Sequence, residues 1–247
     1  MEKIKLGYAL TGSFCTLDKS IKEMSRLVSQ DYDVLPIMSE NAYTVSTRFG
    51  KAHDIVTRIE TITQKSVIHT VSGAEPIGPR GMCDILLVAP CTGNTLSKIA
   101  LGITDTPVTM AVKSQLRIGA PVVLCVASND ALGASAENVG RLLNRKNVYF
   151  VPFSQDDPFK KPNSLVAHFD LIPQSLEKAL KGQQLQPIFA SLSIPVSIAR
   201  SVPPATHRRT GSLMSSISLS LCLQPSNGNA SPKHSCLQVL QYFIVFS

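Results

Sequence analysis

The stretch Val88-Ala89-Pro90-Cys91-Thr92-Gly93-Asn94-Thr95 puts three small hydrogen-bonding side chains, Thr92, Asn94 and Thr95, around one glycine just after an apolar run. If the run is a strand and a helix begins at the threonines, that helix offers unpaired N–H groups and the positive end of its dipole. Such a place suits an anion, a phosphate above all, or the polar edge of a ring. Capping the helix needs only one of these residues, so three around Gly93 favour a ligand site. Pro90 has no N–H to give to a ladder and is expected to end the strand's pairing.

Three other short loops carry similar residues. Thr11-Gly12-Ser13 allows a tight turn with a hydroxyl at the next helix start, which fits either a phosphate contact or an N-cap. Ser39 follows the run VLPIM, where a single serine is most simply a turn residue. Ser128-Asn129-Asp130 follows PVVLCVA and either caps the next helix or points into the same cleft.

The elements that hold these loops alternate between two periods. Apolar runs at residues 4–10, 34–38, 67–71, 85–89, 121–127 and 148–151 have strand length. Helical spacing marks 16–30, 51–63, 95–101, 108–118, 131–143 and 175–180, the last with Pro173 near its start and Gly182 past its end. ILLVA at 85–89 is nearly continuous, as expected of a strand covered on both faces. This alternation predicts an α/β fold, a Rossmann-like three-layer α/β/α sandwich around a parallel sheet. Ligands in such sheets bind beyond the carboxyl ends of the strands, where the four loops fall.

The chain has 247 residues, of which 44% are apolar and 17% charged, so it can bury a sizeable core. No run reaches the length of a membrane span, and the N-terminal apolar run is too short for a signal peptide; a cytoplasmic protein is expected. The six cysteines form no CxxC pair and no Cys/His metal spacing. They are expected to be free thiols with no metal bound. The formal net charge is +7, but Arg200, Arg208, Arg209 and Lys233 lie in residues 191–247, which hold 13 serines and no acidic residue. The basic balance is therefore largely a property of that segment and is poor evidence for nucleic-acid binding. Residues 1–190 read as the folded domain. Residues 191–247 read as a low-complexity tail: a disordered extension, a shifted frame or read-through, or an interaction segment.

TGS at 11–13 and APCTGNTLSKIALGITD at 89–105 together resemble the flavoprotein family of homo-oligomeric flavin mononucleotide (FMN) proteins, which includes flavin-dependent cysteine decarboxylases and flavin prenyltransferases. LTGSFCT, TRFGKA, AEPIGP, SNDALG and LLNRKNVYFVPFSQDDPFKKPNSLVA extend a closer resemblance from residue 3 to 188. It is to one branch of that family, one of the two chains of an oxidoreductase that produces a small aromatic dicarboxylate.

The resemblance implies FMN contacts at Gly12, Ser13, Ser39, Thr92, Gly93, Asn94, Thr95, Ser128 and Asn129. It implies a homo-oligomer, a second chain that binds NAD or NADP, and a small dicarboxylate substrate. Ser128-Asn129 stands where the family often carries an arginine or a Met-Asn pair, and His69 lies outside the decarboxylase motif. Both departures count against the two alternatives of the same fold, an FMN-dependent decarboxylase and a flavin prenyltransferase. A non-catalytic scaffold is a third alternative.

A dianionic substrate wants guanidinium or ammonium partners. Arg48, in the loop after the second strand, is the preferred candidate, and Lys113, which shares a helix face with Arg117, is another. Arg80 and Lys160-Lys161 lie in predicted loops, and for all of these a solvated surface charge is the plainer reading. Oxidising a dihydropyridine needs no nucleophile, so Cys15 and Cys91 are read as packing residues and no catalytic residue is assigned. Segment 155–163, QDDPFKKPN, is too polar for core and too Pro-rich for helix. It is read as a lid, an inter-chain contact or a plain exposed loop.

Overall fold

The structure is a computed structural model and describes residues 3–190; the tail reading lies outside the described residues. Its elements run β1 (Lys5–Leu10), α1 (Phe14–Ser29), β2 (Asp33–Met38), α2 (Glu40–Thr44), α3 (Ala52–Thr63), α4 (Val71–Ala74), β3 (Ile85–Cys91), α5 (Gly93–Leu101), α6 (Pro107–Arg117), β4 (Val122–Ser128), α7 (Ala136–Leu143), β5 (Val148–Phe150), β6 (Phe153–Gln155), β7 (Leu165–Ala167) and α8 (Ile172–Leu180), with single 3-10 turns at Glu75–Ile77 and Phe169–Leu171.

The first five strands are parallel in the order β2-β1-β3-β4-β5, and helices flank the sheet, which is the predicted three-layer α/β architecture. All seven residues of β3 are buried and β4 is buried up to Ala127, because both strands are covered on both faces. Tyr8 of β1 is fully buried and satisfies its hydroxyl on Ser20 of α1 (3.0 Å to the carbonyl oxygen and to Oγ), which locks α1 over the sheet. Gly78 packs so tightly against α6 that a Cβ there would meet the Ser114 carbonyl oxygen at 2.0 Å.

Some elements differ from the sequence reading. Pro90 does not end the pairing of β3: the register shifts between Val88 and Cys91, and Cys91 pairs with Val126 beyond the irregularity. A bulge lets the proline's missing donor fall between ladder positions. Residues 67–71 form no strand; Ile68 makes one bridge to Ile37, and Thr70 then caps α4. The helix expected from 131 starts at Ala136, since residues up to Ser135 wind around the Asp130 carboxylate as turns. The antiparallel hairpin β6–β7, which pairs with the end of β4, was not legible, because three-residue strands show no periodicity.

Candidate functional site

The order β2-β1-β3 makes the chain reverse direction between β1 and β3, and a crevice opens there beyond the strand ends. Thr11, just past β1, is buried and bridges the two loops. Its Oγ1 donates to the Pro90 carbonyl (2.7 Å) and accepts from the Thr92 N–H (3.1 Å). The α1 and α5 N-termini are thereby pinned side by side.

Between these loops and the end of β4 lies a cavity of about 600 Å³. Of the residues singled out in the sequence, it is lined by Gly12, Ser13, Arg48, Thr92, Gly93, Ser128 and Asn129. The structure thus brings together the first, third and fourth loops and the preferred arginine. Four candidates stand elsewhere. Ser39 caps α2, its side chain accepting from Ala42 N. Thr95 is buried and bonds Thr92 through both its N–H (3.3 Å) and its Oγ1 (3.1 Å), so this pair serves as a helix cap. Asn94 is exposed on α5 outside the lining, and Lys113 is exposed on α6, also outside it.

Lys161, for which a surface charge was the plainer reading, also lines the cavity, and Cys15, expected to pack, stands in its wall. The wall further contains residues that the sequence reading did not assign: the first turns of α1 supply Phe14, Thr16 and Lys19, Phe49 stands beside Arg48, and the hairpin supplies Asp156 and Val166. Segment 155–163 therefore contributes Asp156 and Lys161 to the cavity wall. A smaller cavity of about 100 Å³ continues behind Phe14 and Phe49 toward Leu17, Ile21 and Ile55.

The two helix ends differ in what they face. Asp130 accepts from Ser128 Oγ (2.6 Å) and Ser135 Oγ (3.2 Å). A Cβ on Gly93 would lie 2.8 Å from the same Asp130 oxygen and 2.6 Å from Ser128 Oγ. The chain's own carboxylate thus answers the positive end of α5, and a side chain at 93 would have to push these oxygens aside. The start of α1 carries no acidic residue in its first turn, and Ser13 makes no side-chain cap to it. Its hydroxyl accepts instead from Thr16 Oγ1 (2.9 Å) and faces the cavity. Thr16 N donates to the Ser13 carbonyl (3.0 Å), and the two N–H groups ahead of it in this 16-residue helix, those of Phe14 and Cys15, have no intrahelical acceptor. Lys19, Arg48 and Lys161 set three cations around the opening against one carboxylate, Asp156. A free helix N-terminus, a hydroxyl and surplus cations fit an anionic head group, while Phe14, Phe49, Ala127 and Val166 give apolar wall for a flat ring.

Cys91 is fully buried and its thiol is pushed up to about 12 by burial, so it is not a thiolate at neutral pH. Cys15 is exposed at the cavity wall. None of the described histidines lines the cavity: His69 stacks on Tyr43 (centroids 4.0 Å apart), and His168 bonds Ser154 Oγ (3.0 Å). Among the described residues no group of three or more His, Cys, Asp or Glu is placed to hold a metal, and no helix is long and apolar enough to cross a membrane.

A doubly wound sheet with an anion-ready crevice at its switch point matches what comparison with known proteins returns: the Flavoprotein family model matches residues 1–168, and the chain belongs to that family. Within it, the chain is 47% identical over 184 residues to the dipicolinate synthase B subunit of Bacillus subtilis (strain 168), covering 74% of this chain and 92% of that protein. The crystal structure of the dipicolinate synthase B subunit from Bacillus halodurans C superposes with a TM-score of 0.71 at 41% identity, covering 77% of this chain and 99% of that one. The FMN-dependent cysteine decarboxylase SpaF shares the fold (TM-score 0.55) at 20% identity, over 72% of this chain and 98% of that one.

Proposed function

We propose that the chain acts as the B subunit of a dipicolinate synthase. With the nicotinamide-binding A subunit, it would oxidise dihydrodipicolinate to pyridine-2,6-dicarboxylate in the cytoplasm of the mother cell of a spore-forming bacterium. The observation that carries this reading is the 47% identity across 92% of the Bacillus subtilis relative, together with a cavity of fitting chemistry at the switch point. In the reaction the dihydropyridine gives up a hydride and a proton. The hydride's two electrons reduce NAD or NADP, and the ring becomes aromatic.

FMN is the cofactor that the family and the donor set support. Ser13 and the first N–H groups of α1 would hold its phosphate, with Lys19 balancing the charge. Thr92, Ser128 and Asn129 would meet polar edges of the ring system, and Phe14 and Phe49 its apolar surface. Bound there, a flavin supplies a reversible two-electron acceptor. The protein's part is to orient the dihydropyridine and keep water away from it, which needs neither a nucleophile nor a low-pKa thiol. The buried Cys91 fits that requirement. A cavity wall without a histidine among the described residues favours this reading over the decarboxylase alternative. Oligomers of this chain are part of the proposal.

The test is reconstitution. The purified chain, the nicotinamide-binding partner, dihydrodipicolinate and NAD or NADP are combined and pyridine-2,6-dicarboxylate is measured, alongside the visible spectrum of the chain with FMN. Product only when both proteins are present, and a perturbed flavin spectrum, are expected. Full output from the nicotinamide-binding partner alone would refute the enzymatic role. Output that needs the chain but survives loss of the flavin spectrum would reduce it to a scaffold.

A further inference from the structure

Two short turns outside the central sheet reach the mouth of the cavity. The first, residues 47–50, is closed by Thr47 N donating to the Gly50 carbonyl (3.0 Å) and Gly50 N donating to the Thr47 carbonyl (3.1 Å), which puts Arg48 and Phe49 at its tip. The Arg48 guanidinium lies over the Phe49 ring, 4.9 Å from its centroid. Among the described residues no carboxylate forms an ion pair with Arg48.

The second turn joins β6 to β7. Asp157 Oδ1 accepts from Phe159 N (3.2 Å) and Lys160 N (3.0 Å), and Lys161 N donates to the Asp157 carbonyl (2.7 Å). Gln155 Nε2 donates to the Pro162 carbonyl (2.8 Å), and Leu132 N donates to the Asn163 carbonyl (3.0 Å), tying the turn to the loop after β4. The backbone under Lys161 is therefore fixed, and what is left to move is the side chain. Its ammonium donates to Asp156 Oδ2 (2.5 Å), with both side chains substantially exposed at 54% and 39%. A pair in that setting is weakly held, so an incoming carboxylate can replace Asp156 at little cost.

Arg48 and Lys161 line the same cavity from separate supports. A rigid aromatic diacid presents two carboxylates at a fixed spacing and in one plane. It is gripped best by two cations on independent, preorganised arms, one of them a planar fork. We infer that Arg48 and Lys161 form a two-point clamp for a small aromatic dicarboxylate at the cavity mouth, Asp156 being the internal carboxylate that the ligand displaces. This rests on the dicarboxylate reaction proposed above.

Calorimetric titration of the full chain, loaded with FMN, with pyridine-2,6-dicarboxylate and with pyridine-2-carboxylate tests the clamp. The wild type should prefer the diacid by roughly tenfold or more, and K161Q and R48Q should each cut that preference to about twofold or less, since each removes one charge-assisted contact. D156N should tighten diacid binding, because the competitor for Lys161 is gone. All three side chains are exposed, and an unchanged flavin spectrum and unfolding midpoint would show an intact pocket. No preference in the wild type, a preference that survives either K161Q or R48Q, or weaker diacid binding in D156N would overturn the clamp. Turnover with the nicotinamide-binding partner separates the two claims. Product formation with an unchanged KM in K161Q sinks the clamp and leaves the reaction. A charge-dependent diacid preference without turnover sinks the reaction and leaves the clamp.

Discussion

Thr11 and Thr92 lie 81 positions apart and share a hydrogen bond of 3.1 Å, with the same Thr11 hydroxyl donating to the Pro90 carbonyl at 2.7 Å. One side chain thus satisfies a buried carbonyl of the β3 bulge and holds the loop entering α5 against the loop leaving β1. Thr11→Val keeps the shape and removes both bonds. It should destabilise the protein by about 1–3 kcal/mol, since two polar groups lose their partner, and weaken FMN binding through misplaced loops. Thr11→Ser should retain most of both. Denaturant unfolding and flavin titration of the pair check this.

Two glycines should respond to different degrees. Gly78→Ala would drive a Cβ to 2.0 Å from a backbone carbonyl oxygen of α6, which cannot swing aside. A loss of stability of at least ~2 kcal/mol is expected, as for overpacking in a closed core. Gly93→Ala meets only side-chain oxygens, the nearest Ser128 Oγ at 2.6 Å. Those can rotate away, so stability should fall less while the cavity wall at Ser128 is displaced. Thermal unfolding set beside flavin affinity distinguishes the two; equal stability losses would show that the side chains around Gly93 cannot move aside, and an unchanged flavin affinity in Gly93→Ala would contradict the assignment of Gly93 to the site.

Ser13→Asp separates folding from binding. A carboxylate at the N-cap of α1 is favourable to the helix, by about 0.3–1 kcal/mol. The same charge would stand where the flavin phosphate is proposed to sit. The expected result is unchanged or raised stability with FMN affinity down by more than tenfold. Retained affinity would move the phosphate elsewhere.

Burial raises the Glu23 carboxyl above its ordinary value, and the weaker opposing effect of Arg26 (3.4 Å) does not cancel it. A carboxyl raised on folding favours the native state while protonated, and that contribution is lost as pH rises through the folded pKa. Glu23→Gln should therefore leave stability unchanged at acid pH and raise it at neutral pH, by no more than about 1 kcal/mol. Denaturation of both proteins between pH 4 and pH 7 checks the sign; a variant less stable at neutral pH would show that the Arg26 pairing prevails.

Among the four described cysteines, Cys15 alone is exposed, and it lines the cavity. Burial pushes the Cys83 and Cys91 thiols up to about 12 and Cys125 well above its ordinary value. Iodoacetamide on the native protein should modify Cys15 and spare those three, and bound FMN should slow the modification. Peptide mass spectrometry reads both effects.

What the chain alone determined is local in origin. The buried runs of β1, β3 and β4, the amphipathic helices and the small polar residues after each strand are set by residue type and period. From them follow the α/β class and the end of the sheet where a ligand belongs, while only the family resemblance grouped Gly12, Ser13, Thr92, Gly93, Ser128 and Asn129, which line one cavity in the structure. The tertiary structure decided the rest. It assigned Thr95 and Ser39 to capping, left Asn94 and Lys113 outside the lining, carried β3 past Pro90 through a bulge, brought Lys19, Phe49 and Asp156 to the cavity, and chose Lys161 from among the candidate cations to join Arg48 there. None of those outcomes has a local signature. They depend on which loops the strand order places side by side, and on a hairpin whose short strands gain their pairing only once β4 is there to receive them.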